Sequence, residues 1–391
     1  MKVAIICSCA EPGRDGVGDY SVRLGAALLA EGHQALVIAE RDVVEQPVDE
    51  ERDSIRVLRL PARSPDAARA RALADALESF EPDWVIVQFV CWGFADRGVL
   101  DPPPAAFIAA LAGRRIAIYC HELWLGLERG ASLRHRWWGR SQRRTILQFF
   151  SELQPELVMT SNAAYARVLE HFGRNAQIVP LFSNIPVRHE GRAKFLSLLE
   201  RPRGDAVMVA VFGSVYAEWQ PHAALRWIGA EAQRRNRGVL LVIGGRPSSR
   251  GEALVEQLSR EASSFASIVV LGEIPPDVVS GLLQEADIGL PSSDWLLLDK
   301  SGVAAAMTAH GLPMLVVRNG VALRDLPNLA VHHAPSVFRF DAGDPPDFDQ
   351  LLSARSRPAD SSPQIAQRLI KALADVQRVQ HSHGRQQKNA Y

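Results

Sequence analysis

Residues 207–214 read VMVAVFGS: an unbroken apolar run, then a glycine and a serine. Such a run is too short for a buried helix and has the composition of a strand covered on both faces, with a turn at its carboxyl end. Downstream, VLLVIGG (239–245), IVVLGE (268–273), DIGLPSS (287–293), PMLVVR (313–318) and NLAVHH (328–333) repeat the type. Helical patterns separate them at 221–235, 249–262, 275–285 and 302–310. Upstream the same alternation has already run once. VAIICS (3–8), ALVIAE (35–40), IRVLRL (55–60), WVIVQFV (84–90), RIAIYC (115–120), LVMTS (157–161) and IVP (178–180) read as buried strands, with amphipathic segments such as 20–31, 65–80 and 103–111 between them. Strands alternating with helices imply βαβ units and a parallel sheet. The pattern occurs twice, so the expected class is α/β with two Rossmann-like, doubly wound domains. The charged stretch 187–206, with Pro202 and Gly204, reads as the join. The expected division is 1–190, a linker at 191–206 with a short helix, 207–355, a closing helix within 360–380 and a frayed polar tail at 381–391.

Length and composition agree with this division. The 391 residues are 47% hydrophobic and 23% charged, ordinary values for a globular chain. Lys plus Arg and Asp plus Glu number 44 each, which argues against binding nucleic acid through global positive charge. Cys7, Cys91 and Cys120 end or follow apolar runs and read as reduced core thiols; Cys7 and Cys9 are not spaced as a metal pair, and no metal site is expected. The opening apolar run is too short for a signal peptide and no stretch suits a membrane span, so a cytoplasmic protein is expected, either soluble or peripheral at the inner face of the membrane.

The first strand is followed by CAEPGRDGVGDYS (9–21). Gly13, Gly16 and Gly18 would let backbone approach a ligand, and the helix is expected to begin near Asp19. A flexible loop capped by Asp19 is the plain alternative. The dinucleotide fingerprint is absent, since the third glycine is missing. GVGDYSVRLGAALLAEGHQALVIA (16–39) resembles the opening of GT-B glycosyltransferases, above all the retaining family four. The resemblance implies that Gly16, Val17 and Gly18 contact donor phosphates and acceptor, with Asp19 near the acceptor. It also implies two domains facing across a cleft, with the last helix returning to the first domain.

Further segments follow in the order of that family. QFVCWGFA (88–95) and YCHELW (119–124) sit at strand carboxyl ends, where open α/β sheets bind ligands. His121 and Glu122 are the polar candidates there, implied to orient sugar hydroxyls or the acceptor; a strand-capping His and an ion-paired Glu are the alternative. Ser161-Asn162 and Ser183-Asn184 hold matching positions and equally suit turns. In RHRWWGRSQRR (134–144), Arg136, Arg140, Arg143 and Arg144 share a helical face. With Trp137 and Trp138 they could touch an anionic membrane or a pyrophosphoryl-lipid acceptor; a solvated face with both tryptophans in the core is the alternative.

Nucleotide-sugar chemistry must stabilise a departing diphosphate. Phe212-Gly213-Ser214 lacks the Arg and Lys that usually follow in the family. DKSGVAAAM (299–307) then HGLP (310–313) resembles the segment that usually carries two glutamates, in a divergent subgroup with a Lys-Ser-Gly donor site; the second glutamate position falls on Ala306. Lys300 and the amides of Ser301, Gly302 and Val303 would hold the diphosphate. Gly244 and Arg246 would line the base pocket, and Glu273-Ile274 would frame the base. The resemblance implies a glycosyltransferase moving sugar from a nucleotide diphosphate sugar to an acceptor hydroxyl, retaining and without metal or other cofactor. A GT-B-like epimerase or phosphorylase, and a non-catalytic binding protein, are the alternatives.

Overall fold

The computed structural model describes residues 1–94, 98–99, 105–199, 203–215, 218–245, 249–261, 266–326 and 328–388. The chain forms two compact units: residues 1–180, 323–329 and 362–391, and residues 181–322 with 330–361. Among the described residues no helix is long and apolar enough to cross a membrane.

The first unit holds β1 (Lys2–Cys7), α1 (Gly16–Ala30), β2 (Gln34–Asp42), β3 (Val48–Arg52), β4 (Ile55–Pro61), α2 (Asp66–Phe80), β5 (Trp84–Phe89), α3 (Ala105–Leu111), β6 (Ile116–Cys120), α4 (Leu133–Leu153), β7 (Leu157–Thr160), α5 (Ala163–His171) and β8 (Gln177–Ile178). Its eight strands run β3-β4-β2-β1-β5-β6-β7-β8. β1 and β5 are almost wholly buried, because helices cover both faces of a parallel sheet. Registers such as Ile5 opposite Val37 and Ile86 keep apolar positions level across three strands.

The exception is β3, which pairs antiparallel with β4. Asp53 and Ser54 form the turn with φ of 48° and 63°, the left-handed pair that a two-residue hairpin requires. No strand was expected at VDEER, because its charges suit an exposed sheet edge and not a buried one.

The second unit holds α6 (Gly191–Ser197), β9 (Val207–Phe212), α7 (His222–Arg234), β10 (Val239–Gly244), α8 (Ser249–Glu261), β11 (Ser267–Gly272), α9 (Pro276–Glu285), β12 (Ile288–Gly289), a 3-10 turn (Trp295–Lys300), α10 (Gly302–Ala309), β13 (Met314–Val316), β14 (Val337–Arg339) and α11 (Phe348–Ser353). Its sheet runs β11-β10-β9-β12-β13-β14. Alternate residues of β9 enter opposite cores: Val207, Val209 and Val211 one, Met208 and Ala210 the other.

Three expectations change. NLAVHH is not a strand; its residues are at best half-buried, and the edge strand is β14, paired through Leu315 and Phe338. The first helix begins at Gly16, not near Asp19, because the Asp15 carboxylate accepts from Val17 N at 2.9 Å and caps it. The closing helix, α12 (Ser362–Lys388), runs well into the stretch expected to fray. It packs on α1 in the first unit, where Gln367 donates to Glu31 at 2.7 Å.

Candidate functional site

In the second unit, three adjacent strands end on glycines with left-handed backbone: Gly213 after β9 (φ 81°), Gly245 after β10 (φ 115°) and Gly272 closing β11 (φ 64°). The ladder bends with them, since Gly213 N donates to Gly244 O (3.1 Å) and Gly245 N to Gly272 O (2.6 Å). At Gly245 no other residue fits: its φ is closed to side chains, and a Cβ would lie 2.7 Å from Gly213 N. A Cβ on Gly213 would meet Val303 Cγ2 at 2.8 Å, and Ile274 Cδ1 lies against Gly244. The carboxyl edge of the sheet therefore brings Gly213, Gly244, Ile274 and Val303 together, as expected of ligand sites in open α/β sheets. Ser214 and Glu273 are exposed on the same edge. Arg246 lies outside the described residues.

Serines buttress this edge. Ser292 Oγ donates to Ser214 O (2.6 Å), and Ser293 Oγ to Ser301 Oγ (2.9 Å). Ser301 caps α10, accepting from Ala304 N at 3.3 Å. Its own amide, expected to face an anion, is already bonded to Leu298 O at 2.9 Å. The 3-10 turn folds back far enough to use it. Gly302, exposed, and Val303, half-buried, keep amides with no bond among the described residues. Lys300 ends the 3-10 turn, half-buried, one residue before the cap. Ala306, at the second glutamate position, is fully buried, packed in the core with Met307 and Leu312.

His333 was not foreseen as part of this edge. Its Nε2 faces Trp295 O at 2.8 Å and its Nδ1 faces Asp299 Oδ1 at 3.1 Å. Burial pushes its pKa down, but two neighbours that only accept hydrogen bonds outweigh it, and the net shift is upward. The ring thus clamps residue 333 to the turn that carries Lys300.

In the first unit the corresponding edge is more closed. Gly18 is buried, and a Cβ there would run into the carbonyl oxygen of Cys9. It serves close packing and is not open to a ligand, a correction to the expectation. Val17 half-buried and Gly16 exposed lie beside it. Both Asp19 oxygens accept from Gly13 N at 3.2 Å, and burial above all raises its pKa. The loop is pinned below by Asp42, which accepts from Ala10 N (2.9 Å) and from Arg59 (2.9 and 3.0 Å); Arg59 also reaches Glu11.

His121 and Glu122 part company. His121 is 7% exposed, its ring 4.5 Å from that of Tyr119 and 5.3 Å from that of Tyr20. Burial pushes its pKa down to about 3, so the ring is neutral at ordinary pH. Its Nε2 donates to Gln88 Oε1 at 2.6 Å, which leaves Nδ1 as the acceptor. Gln88 Nε2 is buried with no partner among the described residues, an uncommon state for a donor. Glu122 is exposed. Asn162 caps α5 by accepting from Tyr165 N at 2.8 Å, and Ser183 Oγ donates to Ile185 O and accepts from Ile185 N. Among the described residues no three His, Cys, Asp or Glu side chains converge as a metal cage.

Residues 15–182 match the glycosyl transferase 4-like domain. The fold is that of GT-B glycosyltransferases. Solved structures of that architecture align along almost the whole chain. HepE from Anabaena, in complex with UDP and glucose, is 15% identical with a TM-score of 0.56, over 98% of this chain and 99% of that one. The catalytic domain of starch synthase IV from Arabidopsis thaliana, bound to ADP and acarbose, is 13% identical with a TM-score of 0.58, over 96% and 99%. UDP-GlcNAc 2-epimerase from Neisseria meningitidis, bound to UDP-GlcNAc, is 12% identical with a TM-score of 0.55, over 96% and 100%. Comparison with curated protein sequences finds no match.

Proposed function

We propose that this GT-B chain is a glycosyltransferase whose second unit holds a nucleoside diphosphate sugar. The observation that carries the proposal is the carboxyl edge of the second sheet. Glycine backbone there offers no side chains, the free amides of Gly302 and Val303 open a helix, and Lys300 adds a cation. Complexes of solved relatives with UDP and with ADP support a nucleoside diphosphate as the ligand class.

The transfer needs one bond made and one broken. The acceptor oxygen bonds the anomeric carbon, while the bond from that carbon to the diphosphate oxygen breaks and its electron pair leaves with the diphosphate. On the retaining course the leaving oxygen takes the acceptor proton, so neither a protein nucleophile nor a metal is required. Lys300 and the two amides lower the barrier by meeting charge that develops on the leaving group. In the first unit, neutral His121 would accept from a sugar hydroxyl through Nδ1, with the buried Gln88 holding its ring in that tautomer through Oε1. Asp19 and Glu122 would face the acceptor.

A thermal-shift series against UDP, GDP, ADP and dTDP and their sugars tests donor binding, since a ligand of the native state raises Tm. One nucleotide series should stabilise the protein, and Lys300→Ala should lower transfer at least about tenfold. No shift with any of them, or wild-type turnover in Lys300→Ala, would overturn the assignment. Incubating donor without acceptor separates transfer from epimerisation: a C2 epimer formed from the donor sugar would replace the proposal.

A further inference from the structure

The outer face of α4 carries a pattern that folding does not demand. Its inner face (Gly139, Gln142, Thr145, Ile146, Phe149, Phe150) is buried, and Gln142 Oε1 accepts from Leu125 N at 2.9 Å. That side fixes the helix in the first unit. On the other side, Leu133, Trp137, Arg140 and Arg144 fall at i, i+4, i+7 and i+11 and form one stripe, with Arg136 beside it. Leu133 is 78% exposed and Trp137 68%. The alternative that buried both tryptophans in the core therefore fails for Trp137.

Charge on this face is unbalanced. Residues 133–151 contain no acidic side chain in a chain whose net charge is zero. Arg134, Arg136, Arg140 and Arg144 have no ion-pair partner among the described residues. Arg143 lies over the Phe172 ring at 4.7 Å. Arg140, Arg143, Arg144 and Leu147 line an open groove of ≈ 450 Å³ with Gln148 and Ser151. Arginines around an open groove would suit any polyanion. The large apolar side chains at the N-terminal end of the stripe narrow the choice, because a phosphate backbone in water gives Trp137 and Leu133 nothing to enter. A bilayer surface offers both layers at once: lipid phosphates for the guanidinium groups, and the headgroup–acyl boundary for an indole and a leucine.

We propose that α4 docks this protein on an anionic bilayer, with Leu133 and Trp137 at the acyl boundary and Arg136, Arg140 and Arg144 on lipid phosphates. The inference is independent of the glycosyltransferase reading, because none of these residues belongs to the donor edge.

The test is co-sedimentation of the full chain with phosphatidylcholine vesicles and with phosphatidylcholine/phosphatidylglycerol vesicles. The wild type should pellet with the anionic vesicles alone, and less so at high salt. Replacing three interfacial cations (R136Q/R140Q/R144Q) should weaken partitioning on the order of 100-fold, and W137S on the order of tenfold. Trp137, Arg140 and Arg144 are exposed and Arg136 is half-buried without an ion pair among the described residues, so melting temperatures should hold, and R56Q, at an exposed pair with Asp49, should bind as wild type. The proposal is overturned if the wild type stays in the supernatant, or if the triple variant pellets like it. It is equally overturned if the stripe mediates only dimerisation or retention of duplex DNA, with no vesicle binding.

Discussion

Replacing Arg59 by methionine should destabilise the first unit by about 3 kcal/mol. The Asp42 side chain is fully buried and Arg59 nearly so. Burial alone would push the Asp42 carboxyl up, but the guanidinium, the Ala10 and Val43 amides and the Cys9 thiol outweigh it, and the net shift is downward. Arg59→Met leaves a buried carboxylate without its cation, a loss of roughly 3–5 kcal/mol; the remaining amide bonds favour the low end. At roughly 2–4 °C per kcal/mol for a domain of this size, Tm should fall by about 6–12 °C at pH 7. The sign of the pH dependence is fixed. A depressed carboxyl pKa stabilises the fold above its unfolded value, and that stability is lost as pH falls through the folded pKa. Without Arg59 the carboxyl pKa rises, so protonation relieves the variant and its deficit should shrink between pH 7 and pH 4. Calorimetric melts of both proteins at the two pH values decide the matter. Arg56→Met, at the exposed pair with Asp49, is the control and should cost about 0.5 kcal/mol or less. Equal melting of Arg59→Met and wild type at pH 7, or a deficit unchanged at pH 4, would refute the reasoning.

Gly245→Ala should both destabilise the second unit by about 1–3 kcal/mol and weaken nucleotide binding, measured by calorimetric titration, by at least about tenfold. Gly130→Ala, where a Cβ would meet nothing within 4 Å, should do neither; equal affinities would remove Gly245 from the donor edge. His121 gives the opposite kind of signal. Because its folded pKa is pushed down to about 3, its contribution is complete above the unfolded value near 6.5 and is lost as pH falls, by up to about 1.4 kcal/mol per pH unit. Urea melts from pH 6.5 to 4.5 should be steeper in pH for wild type than for His121→Gln, and parallel curves would sink the assignment.

The central strands were legible because parallel burial makes them continuous apolar runs: VAIICS and VMVAVFGS need no partner to be recognised. Edges were not. VDEER is charged because it is a hairpin edge, and its turn rests on left-handed Asp53 and Ser54, a pair without the glycine that marks such hairpin turns. NLAVHH misled for the converse reason: it is apolar enough for a strand, yet His333 is taken up by the 295–300 turn and the sheet closes through Val337–Arg339 instead.

The site divides in the same way. Glycines that end apolar runs announce the glycine-lined carboxyl edge of the second sheet. Bonds that depend on tertiary geometry do not. Gln88 meets His121 only because β5 and β6 are neighbours, and the Ser301 amide is lost only because a 3-10 turn precedes it.

The two helix N-termini at the sheet edges differ in a way that bears on where a diphosphate would settle. Each aligned helix concentrates partial positive charge at its first turn. At α1 that charge is already answered from within: Asp15 caps the turn, its carboxylate also accepts from Ser8 Oγ at 3.2 Å, and Asp19 stands on the same turn. An incoming dianion would meet one carboxylate at the cap and a second a turn away, with the Val17 amide already taken. At α10 the cap is the neutral hydroxyl of Ser301, no acidic residue stands in the first turn, the amides of Gly302 and Val303 remain, and Lys300 precedes them. The nearest carboxylate in sequence, Asp299, is engaged with His333. Field and hydrogen-bond supply therefore both favour the second unit for the phosphates. The loop at Gly16–Asp19, with its carboxylates, is suited to hydroxyl groups, which accept and donate, and not to the anion that the family resemblance assigns to it.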